Sequence, residues 1–258
     1  MADEFVGVMH AVVAREAPTA RLIDVTHMIE RHDVRAGAMT LWRAAPWLVP
    51  GVILAVVDPG VGTTRRAVAL EVAGTDAVLV GPDNGLLLPA AAHLGGVTAA
   101  VELPPNLSAA GVTFAGRDVF APAAARAANG VAVASLGTPF DPATLQGVPV
   151  PQPVLERDRR LRAEIIWIDH FGNAQLNVAA SAVQPLGAVA GVVVGGRHIG
   201  VEVVSSYGAI RDEHFALVVD SYGMLALSAN RRSAADHLGL AVGEPVWLLC
   251  RNEAVTVA

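Results

Sequence analysis

Between residues 137 and 160 the chain changes character, and that change limits its fold more than any other feature. "GTPFDPATLQGVPVPQPVLERDRR" holds five prolines, turn residues and no hydrophobic period. Upstream, strand-like and helix-like segments alternate. "GVILAVVD", "RAVALEV" and "AVLVG" read as buried strands, and "RLIDV" as a further one. "FVGVMHAVVAR", "DVRAGAMTLWRAAP", "NGLLLPAAAHL" and "GRDVFAPAAARAA" read as helices. Asp3 and Asp33 stand where they would cap the first two, and Pro46 stands where the second should stop. This alternation predicts an α/β domain with a mostly parallel sheet covered on both faces. Downstream, short β-like runs are separated by glycines: "AEIIWID", "AVAGVVVGG", "HIGVEVV", "FALVVD", "GMLALSA" and "EPVWLLC". They predict a smaller all-β domain, an antiparallel barrel or sandwich. The expected division is an α/β domain over 1–150, a linker over 151–162 and the all-β domain over 163–258. No internal repeat is visible. Because a parallel α/β sheet usually opens on a strand and this chain opens in a helix, the first strand is expected upstream of Met1.

Hydrophobic residues make up 53% of the 258, with mean hydropathy +0.48, which raises the question of membrane insertion. The most apolar stretches, around 48–57 and 187–196, carry Pro or Gly and fall well short of the ~20 residues a spanning helix needs. "MADEF" is acidic and offers no basic flank of a signal peptide. Cys250 is the single cysteine; it cannot form an internal disulfide, so a reducing cytoplasm is expected. Net charge is −6 and all 18 basic residues are arginine. The absence of lysine excludes Schiff-base chemistry and a P-loop. "ERDRRLR" (156–162) alternates in sign and reads as solvated linker rather than a nucleic-acid patch. Neither nucleic acid nor membrane is an expected partner.

"AVVDPGVGTTRRAV" (55–68) begins as a buried strand and breaks at Asp-Pro-Gly before two arginines. It lacks the lysine and spacing of a Walker loop and the third glycine of a dinucleotide fingerprint, and its acid would repel phosphate. A carboxylate ending a buried parallel strand stands where open α/β sheets place ligands. Burial alone would neutralise it, and a neighbouring guanidinium restores the charge. Asp58 with Arg65 therefore reads in two ways. It is an ionised acid in a dry pocket, fit to position or deprotonate water, or a capped turn bridged by a structural arginine. "GPDNGLL" (81–87), "TFAGRDVFAP" (113–122), "IDHFGNAQLN" (168–177) and "DSYGMLALSANRRSAADHLGL" (220–240) show the same mixture of turn glycine and polar side chain. An aromatic among amides and acids is also suited to hold a purine.

In this order, "DEFVGVM", "DVTHMIERHDVRAGA", "VVDPGVGTTRRAV", "GPDNGLL", "TFAGRDVFAP", "IDHFGN" and "SYGMLALSAN" resemble the S-adenosylmethionine hydrolase family, also called SAM hydroxide adenosyltransferases and related to the fluorinase and chlorinase. The resemblance runs from about Asp3 to Val246. It implies an α/β domain followed by a β-barrel domain, and a homotrimer with substrate between neighbouring subunits. The implied reaction is displacement at the ribose C5′ of S-adenosylmethionine by water, without metal or cofactor. Asp58 and Arg65 match two members of the family's water-activating Asp/Arg/His trio. The halogenases typically lack that acid, and Val61 stands where the fluorinase uses a hydroxyl. Asp3 matches an acid near the methionine amino group and Ser221 a hydroxyl near the same moiety. Asp169, Phe171 and Asn173 match substrate contacts, with Phe171 against the adenine, and Asn230 and Arg231 align with the segment that reads the purine edge. Asn84 lies in a recurrent motif without an assigned contact.

Two departures stand out. The family's "TFHGRD" reads "TFAGRD" here, so Ala115 replaces the third member of the trio. Loss of a general base commonly costs ~10²–10⁴-fold, and His32 and His170 are the histidines in neighbouring site segments. The family's opening strand and its ribose-gripping Asp-Phe-Gly would precede Met1. Two alternatives to hydrolysis stay open: a S-adenosylmethionine or adenosine binder crippled at Ala115, and transfer of C5′ to halide.

Overall fold

A computed structural model describes residues 4–106 and 111–251 of the chain. The chain divides into two compact units, Met1–Pro149 and Val150–Ala258.

The first unit opens with α1 (Phe5–Glu16) and α2 (Val34–Ala44). The Asp33 carboxylate accepts from Ala36 N at 2.8 Å and caps α2. Then follow β1 (Gly51–Leu54), β2 (Ala67–Val72), β3 (Ala77–Pro82), α3 (Leu88–Leu94), β4 (Val97–Glu102), α4 (Ala121–Ala128) and β5 (Thr138–Pro139). The strand order is β1-β3-β2-β4-β5. Only β1 and β3 run parallel, with Gly51 opposite Ala77; β2 is antiparallel to both β3 and β4, and β4 to β5. The expected mostly parallel sheet is therefore corrected to a mostly antiparallel one. The cause lies in the connections. Residues 73–76 link β2 to β3, and four residues can close a hairpin but not the crossover of a dozen or more that a parallel neighbour needs. The twelve residues 55–66 let the chain pass from β1 beyond the β3 position.

Both faces of this sheet are covered. Leu70 and Leu79 point to one face with Met39, Leu41, Leu86 and Ala91 of the α2–α3 side. Ala69, Val80 and Val101 point to the other with Phe120 and Ala124 of α4. The alternation along β2 and β3 follows the two-residue period of a strand. Helix α1 packs outside α4, with Val12 and Val13 against Ala121 and Ala125. A Cβ on Gly81 would run into the Ala55 carbonyl, so glycine permits β3 to approach the chain leaving β1.

"RLIDV" forms no strand. Residues 17–33 contain no helix or strand, and Ile23 and Met28 are exposed. An extended run becomes a strand only with a neighbour to complete its ladder, and this segment is held through side chains instead.

The second unit contains β6 (Val154–Leu155), β7 (Arg160–Ile168), β8 (Ala174–Ala179), α5 (Ala180–Val183), β9 (Ala188–Val194), β10 (Arg197–Gly200), β11 (Val203–Val204), β12 (Phe215–Val219), β13 (Met224–Ala229), α6 (Ala234–Leu238) and β14 (Pro245–Arg251). Residues 151–162, read from the sequence as a linker, carry β6 and the start of β7. The sheet runs β10-β9-β14-β7-β8-β13-β12-β11, with β6 beside β7. β7 serves two neighbours: Arg160–Glu164 pair with β14 and Ile165–Ile168 with β8. The two edge strands are consecutive in the chain, joined by Val201 and Glu202. A flat row of these strands would be about 34 Å wide at ~4.8 Å per spacing, whereas that link reaches about 11 Å at 3.8 Å per Cα step. The sheet must curl. Val201 N donates to Ala190 O beside β10 and Leu217 N to Glu202 O beside β11, so the link bonds to both sides of the opening. The core inside the curl includes Ile165, Leu176, Leu217, Leu225, Leu227 and Leu248.

Candidate active site

Strand β1 continues to Ala55, whose N–H donates to Val80 O at 3.0 Å, and then turns at Asp58-Pro59-Gly60. Asn84 secures the approach: its Nδ2 donates to Val57 O at 2.8 Å, and its Oδ1 accepts from Leu86 N at 3.2 Å. The turn closes through Val61 N to Asp58 O and through the Thr63 hydroxyl to Gly60 O at 2.7 Å. Gly62 has φ of 77°, open to glycine without the penalty other residues meet.

Arg65 folds back over this turn. Its Nε donates to Asp58 Oδ1 at 3.0 Å and its Nη2 to Asp58 Oδ2 at 2.5 Å, a two-pronged charge-assisted contact. Nη1 donates to Arg66 O at 2.8 Å, and the guanidinium carbon lies 5.3 Å from the centre of the buried Phe120 ring. The Asp58 side chain is 6% exposed and that of Arg65 11%. Burial at this depth raises the cost of an unpaired charge, so each side chain depends on the other.

Arg66 performs a different task. Its Nε donates to Asp83 Oδ2 at 2.8 Å, Nη1 to Thr144 Oγ1 at 3.0 Å and Nη2 to Thr144 O at 2.6 Å. Gln146 N donates to the other oxygen of Asp83 at 2.8 Å, and Phe140 lies under the guanidinium at 4.2 Å. This cluster ties residues 140–146 to the start of β2 and the end of β3.

The segment containing Ala115 borders the Asp58 turn. A Cβ on Gly62 would stand 3.3 Å from Val112 Cγ2, and Phe120, next to Arg65, ends the π-helical turn Gly116–Phe120. Ala115 packs against the Phe120 cluster. Arg117 turns to its neighbour Asp118, with Nε to Oδ1 at 2.7 Å and Nη2 to Oδ2 at 2.8 Å. Helix α1 supports this loop: Phe5 meets Phe114 edge-on at 4.8 Å, and Met9 lies where a Cβ on Gly116 would be. His32 is exposed, with φ of 67°, in the turn before α2.

In the second unit the hairpins β7–β8 and β12–β13 close through two turns of the same design. Asp169 Oδ1 accepts from the backbone N–H of Phe171 and Asn173, each at 2.9 Å. Asp220 Oδ1 accepts from Tyr222 N at 2.8 Å and Met224 N at 2.9 Å. The second oxygens also match: Asn173 Nδ2 donates to Asp169 Oδ2 at 2.8 Å, and Gln175 Nε2 donates to Asp220 Oδ2. Gly172 and Gly223 have φ of 81° and 73°. The shared wording, Asp-x-aromatic-Gly, is an internal repeat that the sequence reading missed, and Asp220 went unselected with it. Each turn presents an aromatic outward, Phe171 at 76% exposure and Tyr222 beside Ser221. Burial, together with the charges of Asp169 and Asp220, pushes the Tyr207 phenol above its usual range.

Asn230 Nδ2 donates to Asp212 Oδ1 at 3.1 Å, and Arg231 is exposed with φ of 55°. His170 is exposed, with its ring centre 5.9 Å from that of Phe171. Asp3 lies outside the described residues. Thus Asp58 meets Arg65 in the first unit, and Asp169, Phe171 and Asn173 share one turn in the second. Ser221 belongs to the matching turn, with Asn230 and Arg231 beyond β13. A recess of about 680 Å³ in the second unit, with Arg159, Gln184 and Glu202 among its walls, includes none of these residues. Among the described residues no helix is long and apolar enough to cross a membrane.

Residues 1–137 match the model of the SAM hydroxide adenosyltransferase N-terminal domain, and residues 163–247 match that of its C-terminal domain. Over 252 residues the chain is 48% identical to the (R)-S-adenosyl-L-methionine hydrolase of Salinispora tropica, covering 95% of this chain and 92% of the relative. It is 37% identical over 263 residues to the protein of the same name from Thermus thermophilus, covering 96% and 95%. Among solved structures, an uncharacterized conserved protein from Thermotoga maritima superposes with a TM-score of 0.89 at 30% identity, covering 97% of each chain.

Proposed function

We propose that this chain, which belongs to the SAM hydroxide adenosyltransferase family, hydrolyses S-adenosyl-L-methionine to adenosine and L-methionine. The observation that carries the reading is the buried two-pronged contact between Arg65 and Asp58 at the turn after β1. Relatives 48% and 37% identical, named as hydrolases of the (R) epimer, support it.

The chemistry asks little acid catalysis of the protein. The C5′–S bond breaks with its electron pair going to a sulfonium, which leaves as the neutral thioether of methionine. A water oxygen forms the new C5′–O bond and loses a proton, giving adenosine. What remains is to align one water opposite the C–S bond and to strip it partly of solvent. A carboxylate offers about four acceptor positions, of which the Arg65 prongs occupy two. The others are suited to take a hydrogen from the attacking water, with Arg65 keeping the acid charged and fixed in angle. Ala115 contributes no donor or acceptor, so Asp58 and Arg65 carry this task without the family's histidine.

In this reading Phe171 stacks on the adenine, and Asn173, Asn230 and Arg231 read its edge or the ribose. Asp3 and Ser221 receive the methionine amino-acid group. Asp169 acts at one remove, since its carboxylate accepts three bonds from its own turn and thereby sets Phe171 and Asn173 in place. No cofactor or metal takes part in the displacement. A homotrimer with substrate between subunits and a cytoplasmic location complete the proposal.

Purified protein incubated with S-adenosylmethionine, with adenosine and methionine followed by chromatography, tests it. Equal amounts of both, formed faster than without protein, are expected. Binding without product would make the chain a S-adenosylmethionine receptor, and product only with added halide would make it a halide transferase. Light scattering at a mass of one subunit would overturn the trimer.

A further inference from the structure

Helix α1 brings His10 against the irregular segment that follows it. His10 Nε2 lies 2.9 Å from Asp24 Oδ1, and His27 Nε2 lies 3.0 Å from the same oxygen. One ligand atom from each side chain falls within 4.8 Å of the other two. Both imidazoles are 39% exposed and Asp24 53%, so water reaches all three.

The spacing suits coordination. Bonds of about 2.0–2.2 Å place neighbouring ligand atoms about 3 Å apart at right angles and about 3.3–3.6 Å apart in a tetrahedron; the two His–Asp distances of 2.9 and 3.0 Å fit the first and open by a few tenths of an ångström for the second. Two imidazoles with one carboxylate favour zinc, nickel, cobalt or iron over magnesium and calcium, which prefer all-oxygen shells. Two donors come from a short loop, three residues apart, and the third from a helix, so an ion would close a chelate across separate elements.

From these observations we propose that His10, Asp24 and His27 bind a divalent first-row transition ion, represented by Zn²⁺, with water completing its shell. The ion fastens residues 20–30 to α1. That helix supports the Phe114–Gly116 loop through Phe5 and Met9, so the site steadies a brace beside Ala115 and takes no part in the C5′ displacement. It goes beyond the hydrolase reading and stands or falls separately from it.

Chelator-treated protein titrated calorimetrically with ZnCl₂ at neutral pH should show one saturable site per chain. His27→Gln and His10→Gln, each checked for folding by circular dichroism, should weaken it by roughly tenfold or more, while His214→Ala should not. Zn²⁺ should also slow hydrogen exchange in residues 20–30. An absent isotherm, or equal affinity in the folded glutamine variants, overturns the proposal. If a single variant unfolds, exchange in the parent protein decides: no Zn²⁺-dependent protection over 20–30 refutes the site.

Discussion

Arg65 and Arg66 are neighbours in sequence, and each finds a buried carboxylate, yet they show opposite uses of one interaction. Arg66 reaches Asp83 and then continues to Thr144, so its guanidinium joins three stretches of chain. Arg65 directs two prongs to Asp58 and its remaining bond to the adjoining carbonyl, remaining within one turn. The first arrangement closes the architecture. The second holds a carboxylate at a fixed angle with hydrogen bonds that stay within residues 58–66, as the proposed water alignment would need.

The contrast is tested most severely at Asp58. Asp58→Asn keeps the shape, removes the charge and leaves the buried Arg65 unpaired, so it should lower stability as well; in the folded protein we expect adenosine formation to fall ~10²–10⁴-fold with substrate binding retained, as measured by steady-state rate and calorimetric Kd. An unchanged rate would reduce the pair to a structural bridge. Asp83→Asn should act in the opposite sense. It leaves Arg66 partly unpaired and should lower unfolding free energy in urea by about 3 kcal/mol, with little change in the rate of folded protein. Ala115→His would sharpen the comparison by adding the missing base next to the site pair. A rise of at least ~10-fold is expected, and a folded variant that binds substrate without gain would count against the proposed water position. The smallest effect belongs to Thr144→Val, which removes one neutral partner of Arg66 and should cost about 1 kcal/mol without altering turnover.

The sequence showed some of these relationships and concealed others for identifiable reasons. Asp33 as a cap followed from local rules, because the residues involved are three apart. The carboxylate and arginine of the Asp58 turn stand out in the sequence because both belong to one short loop. Alternation of strands with helices points to parallel strands, whereas the four residues between Val72 and Ala77 carry the opposite and decisive answer. "RLIDV" misled because apolar composition does not disclose whether a sheet edge is available. The partner of Asn84 is hidden in the sequence because Val57 is 27 residues away. The twin turns at Asp169 and Asp220 leave a faint trace in the sequence because only Asp, an aromatic and Gly recur, while the neighbouring strand residues follow their own packing. The local chemistry of a turn is legible in a few letters, whereas pairings across the sheet depend on topology.

β14 lies between β9 and β7, although it is the last of these three strands to be made. On the ribosome, both flanking strands therefore emerge with bare edges on the sides that β14 will later fill. The second unit must wait for Pro245–Arg251 before its wall is continuous, and in that interval its exposed ladders are open to wrong partners. The first unit also inserts a later strand, β3 between β1 and β2, but only four residues after β2; the wait here is some fifty residues, from Val194 to Pro245, so shielding this half of the chain during translation should matter more.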